Sequence, residues 1–185
     1  MATTTWQSAS SGDWSVPGDW SGGLPGPADE ADITRPFAGA AYTVSLTTNE
    51  TALTVVVSAA NATLDISRVL SATTVQLTNG LIDLEGTIDG DTVQATGGTL
   101  NIAGELEVNT VEADGVTLEA SNGVIGGPGA TQWNGALVLG GFQQNLFVEN
   151  GLPCESYLDT GNRRAFAPQF RSPRADLVPA VERPA

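Results

Sequence analysis

Between Thr54 and Gly127 the chain repeats itself every eighteen residues, and this period limits the fold more than any other feature. Thr74-Val75-Gln76-Leu77 returns as Thr92-Val93-Gln94-Ala95 and again as Thr110-Val111-Glu112-Ala113. Six columns stay apolar or glycine at that spacing. They are Val57, Val75, Val93 and Val111; Ala59, Leu77, Ala95 and Ala113; Leu64, Ile82, Leu100 and Leu118. The others are Ile66, Leu84, Ile102 and Ala120; Leu70, Ile88, Leu106 and Val124; and Ala72, Gly90, Val108 and Gly126.

The columns fall into i, i+2 doublets, and alternation by two marks a strand with one face turned inward. Doublets start at 75, 82, 88 and 93, so each turn holds three short strands separated by corners. Asn79-Gly80, Glu85-Gly86 and Gly97-Gly98 occupy corners, where Gly and Asn accept the positive φ that a sharp bend demands. Val, Ile and Thr interrupted by frequent Gly argue against helix. The expectation is an all-β chain, a three-sided, right-handed parallel β-solenoid of about five coils, each burying its neighbour's face. A calcium β-roll would carry G-G-x-G-x-D, which the sequence lacks. A left-handed hexapeptide helix would space its doublets evenly by six.

Residues 1–38 are a different material. Gly12-Asp13-Trp14-Ser15 recurs as Gly18-Asp19-Trp20-Ser21 amid Gly and Pro, with Trp6 nearby. This segment is expected to cap the open first coil, whose bare strand edge invites aggregation; Trp14 and Trp20 as an aromatic platform for sugars is the functional alternative. Asp32-Ile33-Thr34 and Tyr42 to Leu46 read as the first strands, out of the eighteen-residue register. The solenoid proper is expected over 39–141. After Val124 the register slips by one, placing Leu137 and Leu139 nineteen residues beyond Leu118 and Ala120. Residues 142–185 collect five Arg and half of the ten Pro, and are expected to be an irregular, disordered tail. A truncated or out-of-frame end is the sharper reading of that tail.

The charge is uneven. Residues 1–141 hold sixteen carboxylates against Arg35 and Arg68, which accounts for the whole net charge of −14. Such an acidic domain repels phosphate backbones, so nucleic acid is not an expected partner. No apolar run reaches the length of a membrane span, and no ordinary signal peptide is visible at the N-terminus. An export signal would have been removed, lie elsewhere or belong to an upstream segment. With no His in the chain, neither a Ser-His nor a Cys-His pair can form, and Cys154 lies in the tail without a base near it in sequence. No catalytic residue, cofactor or metal is expected.

Paired acids can hydrolyse glycosides, and Asp89/Asp91 and Asp83/Glu85 flank single residues, but outward pairs are ordinarily solvation. The most suggestive outward column is Asp65, Asp83, Asn101 and Glu119, where stacked carboxylates about 4.8 Å apart would repel. Asp65 and Asp83 are therefore the candidate ligand-binding residues beside Trp14 and Trp20. Thr columns (Thr63, Thr99 and Thr117; Thr74, Thr92 and Thr110) raise ice binding, against which Gln76, Gln94 and Glu112 stand.

Trp6, Gly12-Asp13-Trp14, Asp19-Trp20, Gly26-Pro27, Asp32-Ile33 and the Tyr42-Thr43-Val44 strand resemble the opening of solenoid regions in large bacterial secreted repeat proteins. These include autotransporter-type and haemagglutinin-like adhesins. Gly98-Thr99-Leu100-Asn101-Ile102-Ala103-Gly104 is similar to their strand repeats. The resemblance covers roughly residues 6–141 and implies a β-helix in an extracellular or cell-surface setting, with no reaction attached. The expected function is a non-enzymatic structural or adhesive segment meeting a surface polysaccharide or a host or cell-surface component. The alternative is a polysaccharide-binding or polysaccharide-cleaving β-helix fragment.

Overall fold

The computed structural model describes residues 1–120, 124–126, 130–139 and 147–148, with side chains as far as residue 119. Every strand belongs to one all-parallel sheet that winds into a β-solenoid. In chain order the strands are β1 (Thr3–Thr5), β2 (Gly12–Asp13), β3 (Glu30–Ile33), β4 (Tyr42–Leu46), β5 (Glu50–Val57), β6 (Ala62–Ile66) and β7 (Val69–Leu77). There follow β8 (Leu81–Leu84), β9 (Thr87–Ala95), β10 (Thr99–Ile102), β11 (Glu105–Ala120), β12 (Val124–Gly126), β13 (Ala130–Leu139) and β14 (Phe147–Val148).

Each coil has three faces. The first is the ladder β2-β4-β6-β8-β10, continued by the end of β11. The long strands β5, β7 and β9 each supply the other two faces, because they bend at a single residue. In β7 the inward residues are Leu70 and Ala72, then Val75 and Leu77; Thr73 between them is exposed and resets the alternation. The ladder skips the same position, pairing Ala52 with Ala72 and then Thr54 with Thr74. Residues 42–113 make four three-faced coils, and the backbone of β11, β12 and β13 carries the stack onward.

The interior is one continuous column of apolar side chains from Trp6 to Leu118. Leu64, Ile82, Leu100 and Leu118 pair rung on rung as the eighteen-residue period requires, and so do Ile66, Leu84 and Ile102. Two other columns start differently from expectation. Val75 pairs with Val55 and Leu77 with Val57, an offset of twenty, which leaves the buried Ala59 beyond the strand in the corner. The extra pair of residues is absorbed there, between Val57 and Ala62. At the far end Leu106 pairs with Ile125 and Glu107 with Gly126, so the slip expected after Val124 is already present at it. Leu137 and Leu139 pair with Leu118 and Ala120, nineteen residues apart as expected.

The segment 1–38 is not a separate wrap. β1, β2 and β3 are rungs of the same sheet, with Thr4 on Ala31, Asp13 on Ser45 and Ile33 on Val57. Beyond the boundary placed at 141, β14 pairs with β12. Cys154 and the Arg/Pro-rich stretch from Gly151 lie outside the described residues.

Close stacking dictates glycine where a corner or strand backbone meets its neighbour. A Cβ at Gly90 would lie 1.8 Å from the carbonyl oxygen of Ala72 one coil away, which explains glycine in an otherwise apolar column. Leu100 is fully buried in its column, so Leu100→Ala should lose about 2–5 kcal/mol in urea denaturation. Gly90→Ala should also destabilise, by forcing that rung apart. Unchanged midpoints in both variants would contradict the register.

Candidate functional site

Two regions hold the residues that the sequence singles out: the tryptophan cluster at the N-terminal end and the outward columns of the coils. Trp6, Trp14 and Trp20 are all buried, at 0, 0 and 2% exposure. Trp20 sits between the other two, edge-on, with ring centroids 5.2 Å from Trp6 and 4.7 Å from Trp14. Its indole N–H donates to the Trp14 carbonyl at 2.8 Å, whereas the indole N–H groups of Trp6 and Trp14 have no acceptor among the described residues. Each such buried, unmatched donor costs about 1–3 kcal/mol. Burying a large ring stabilises by a comparable 1.5–3 kcal/mol or so, and edge-on ring pairs add about 0.5–1.5 kcal/mol. Hydrophobic closure therefore outweighs the polar loss. This corrects the aromatic-platform reading of Trp14 and Trp20, because a ring enclosed in the core has no face to stack on a sugar.

The same segment closes the sheet edge. Thr5 turns its N–H to the Ser21 hydroxyl at 3.0 Å and its carbonyl to the Ser21 N–H at 2.9 Å. The Gln7 N–H donates to the Asp19 carbonyl at 2.8 Å. Thr4 Oγ1 donates to the Gly23 carbonyl and accepts from the Gly22 N–H. At the outer edge of β1 the backbone of Thr5 is thus matched by Ser21, with the Thr4 hydroxyl held by Gly22 and Gly23. Gly12 sits in a tight spot, since a Cβ there would lie 2.9 Å from an Asp19 side-chain oxygen and 3.1 Å from the Trp6 ring.

On the first face one outward column runs Asp13, Ser45, Asp65, Asp83, Asn101 and Glu119. Asp13 heads it without any sign in the repeat, since it pairs with a residue thirty-two positions away (45 minus 13). Donors separate most of the acids. Asn101 Nδ2 donates to Asp83 Oδ1 at 2.8 Å, and Asp13 accepts from the Ser15 N–H, the Ser15 hydroxyl and the Thr47 hydroxyl. Asp65 is only weakly compensated, with Ser67 and Ser45 hydroxyls at 3.3 and 3.5 Å. Neighbouring Asp65 and Asp83 have no donor between them. Two charges about 4.8 Å apart repel by roughly 1 kcal/mol in water and more near a protein surface.

Beside this column runs Thr43, Thr63, Leu81, Thr99 and Thr117. The third face is different. Its outward columns are Glu30, Thr54, Thr74, Thr92 and Thr110, then Asp32, Val56, Gln76, Gln94 and Glu112, uncharged only between the acids at their ends. Gln94 Nε2 donates to Glu112 Oε2 at 3.0 Å, which ties adjacent coils together. Of the acid pairs considered for glycoside chemistry, Asp91 accepts from Asn109 Nδ2 at 2.9 Å, and Asp89 stands exposed beside Glu107 in the ladder. Asp83 is committed to Asn101, with Glu85 exposed at the corner that follows. Among the described residues no group of three or more His, Cys, Asp or Glu is placed to hold a metal ion, and no helix is long and apolar enough to cross a membrane.

Hydrogen bonds from Ser15 and then Thr47 hold the Asp13 carboxyl below its ordinary range. Burial, reinforced by Glu30, pushes Asp32 up. Burial also pushes the Tyr42 hydroxyl up to about 12, where it donates to the Arg35 carbonyl at 2.9 Å. Comparison with protein-family models, with curated proteins and with solved structures finds no match to this chain.

Two outcomes follow. Asp65→Asn should stabilise the fold by about 0.5–1 kcal/mol at low ionic strength, a gain that shrinks as salt screens the column; Asp83→Asn should be near neutral, because it also weakens the Asn101 bond. Urea melts at two salt concentrations separate these cases. Asp13 favours its charged form in the folded state, so its contribution is complete above the ordinary carboxylate range and disappears as pH falls through its lowered pKa. Asp13→Asn should therefore be less stable at neutral pH and converge with the parent chain in acid melts.

Proposed function

We propose that this chain is a non-enzymatic structural or adhesive segment of a secreted or surface protein, meeting an extended polymer such as a surface polysaccharide with its outward faces. The observation that carries this reading is the division of labour between inside and outside. Apart from the buried Thr4 and Glu50, the described interior is filled by apolar side chains, while the outward columns repeat like side chains rung after rung, as Thr54, Thr74, Thr92 and Thr110 do. Contacts repeated about every 4.8 Å suit a partner that is itself extended and repetitive. Many weak contacts then act together, because each one made raises the effective concentration of the next.

Retention of the intact chain on immobilised polysaccharides of differing charge tests the proposal, with the eluate assayed for new reducing ends. Retention of at least one polymer with no new reducing ends is the expected result. Release of reducing ends would overturn it in favour of a carbohydrate-cleaving fragment, and failure to retain any polymer would overturn the adhesive reading.

A further inference from the structure

We infer that the Asn79-Gly80 corner is a modification site at which the folded chain deamidates through its own backbone. The corner joins the end of β7 to the start of β8, with Asn79 exposed. The Gly80 N–H donates to Asn79 Oδ1 at 2.9 Å. The nitrogen that must attack therefore already lies against the side-chain carbonyl group that it attacks, and such prepositioning removes much of the entropic part of a barrier.

The fold itself requires the reactive neighbour. Gly80 has a φ of +81°, and a Cβ there would lie 2.5 Å from the Ala59 carbonyl oxygen and 2.7 Å from that of Ala62. Only glycine fits, and glycine also leaves its nitrogen unshielded. The Gly80 N–H is spent on the Asn79 side chain, while the Gly80 carbonyl accepts the rung bond from Thr99 N–H at 2.9 Å. Ring closure at the nitrogen leaves that rung bond in place. The next coil has Gly97-Gly98 at this corner and so has no side-chain amide to lose. The other asparagines with described side chains, Asn49, Asn61, Asn101 and Asn109, precede Glu50, Ala62, Ile102 and Thr110, whose side chains crowd the attacking nitrogen.

In the reaction the Gly80 nitrogen loses its proton to base and bonds to Asn79 Cγ. The Cγ–Nδ2 bond then breaks, and the nitrogen leaves as ammonia after taking up a proton. The product is a five-membered imide. Water adding at Cγ opens it to an ordinary aspartyl residue in place of Asn79, with the main chain unchanged. Water adding at the former Asn79 backbone carbonyl gives the isoaspartyl form, whose main chain runs through Cγ and is longer by a methylene. The backbone of Asn79 is packed closely by the next coil, where a Cβ on Gly98 would lie 2.9 and 3.1 Å from the Asn79 backbone C and Cα, so the longer link has to displace that rung.

The test incubates the intact chain at mildly alkaline pH and physiological temperature, in native buffer and in urea. Fragmentation mass spectrometry and isoaspartyl-specific methyl transfer then read residue 79. The native chain should convert at a rate matching or exceeding that in urea, Asn101 and Asn109 should keep their amides, and Asn79→Ser should remove the signal from that peptide. An Asn79 amide that survives in native buffer would overturn the inference, whether or not it is lost in urea: the corner would then protect the residue.

Discussion

A parallel rung must give its backbone N–H and C=O groups to the rungs above and below, and everything else here depends on that requirement. It forces like positions to stack, and the consequence differs between inside and outside. Stacked aliphatic side chains such as Leu64, Ile82, Leu100 and Leu118 gain from sameness, because each buries its neighbours. Stacked carboxylates lose by it. The chain meets the loss with amides: Asn101 against Asp83, Asn109 against Asp91 and Gln94 against Glu112, each eighteen residues apart. All three bonds cross the same junction between consecutive coils, spread around its perimeter. At those three positions an acidic exterior is compatible with close stacking because an amide faces each acid.

The same requirement makes the ends of the stack vulnerable. A terminal rung has donors and acceptors with no rung beyond it. At β1 the solution is local, with the two backbone groups of Thr5 taken by Ser21. The tryptophans solve the accompanying problem of an open apolar end by filling it. Closure and edge protection come from one short segment, so its Gly-Asp-Trp repeat has a structural explanation. Its two copies play unequal parts, since Gly12 lies against the Trp6 ring and the Asp19 side chain and Gly18 has nothing near it.

Much of this was legible in the period. Alternating doublets specify three inward faces, and the columns through Ile82, Leu84 and Ile88 are where the repeat puts them. The error at Val57 and Ala59 has a physical reason. The early coil is longer by two residues, an even number, so inward and outward positions keep their parity and the misaligned residues are still apolar and buried. An odd insertion exchanges the faces, which is why the slip leading to Leu137 was visible. The tryptophans were expected to cap the first coil, with a sugar platform as the alternative, because the same residues suit both and only their enclosure separates the two. Asp13 was missed because it enters its column from outside the periodic region.

The pairing separations carry one more consequence. Strand partners are eighteen to twenty residues apart along most of the stack (92 minus 74, 75 minus 55), and twenty-four, twenty-seven or thirty-two at the start (54 minus 30, 30 minus 3, 44 minus 12). Each coil therefore finds its whole docking surface in the coil just made, and closure never waits for distant sequence. A chain delivered slowly, N-terminus first, can be laid down in the order it arrives. Its tryptophan-filled end is finished before the later coils exist, and the unfolded remainder at any moment is only the part not yet added.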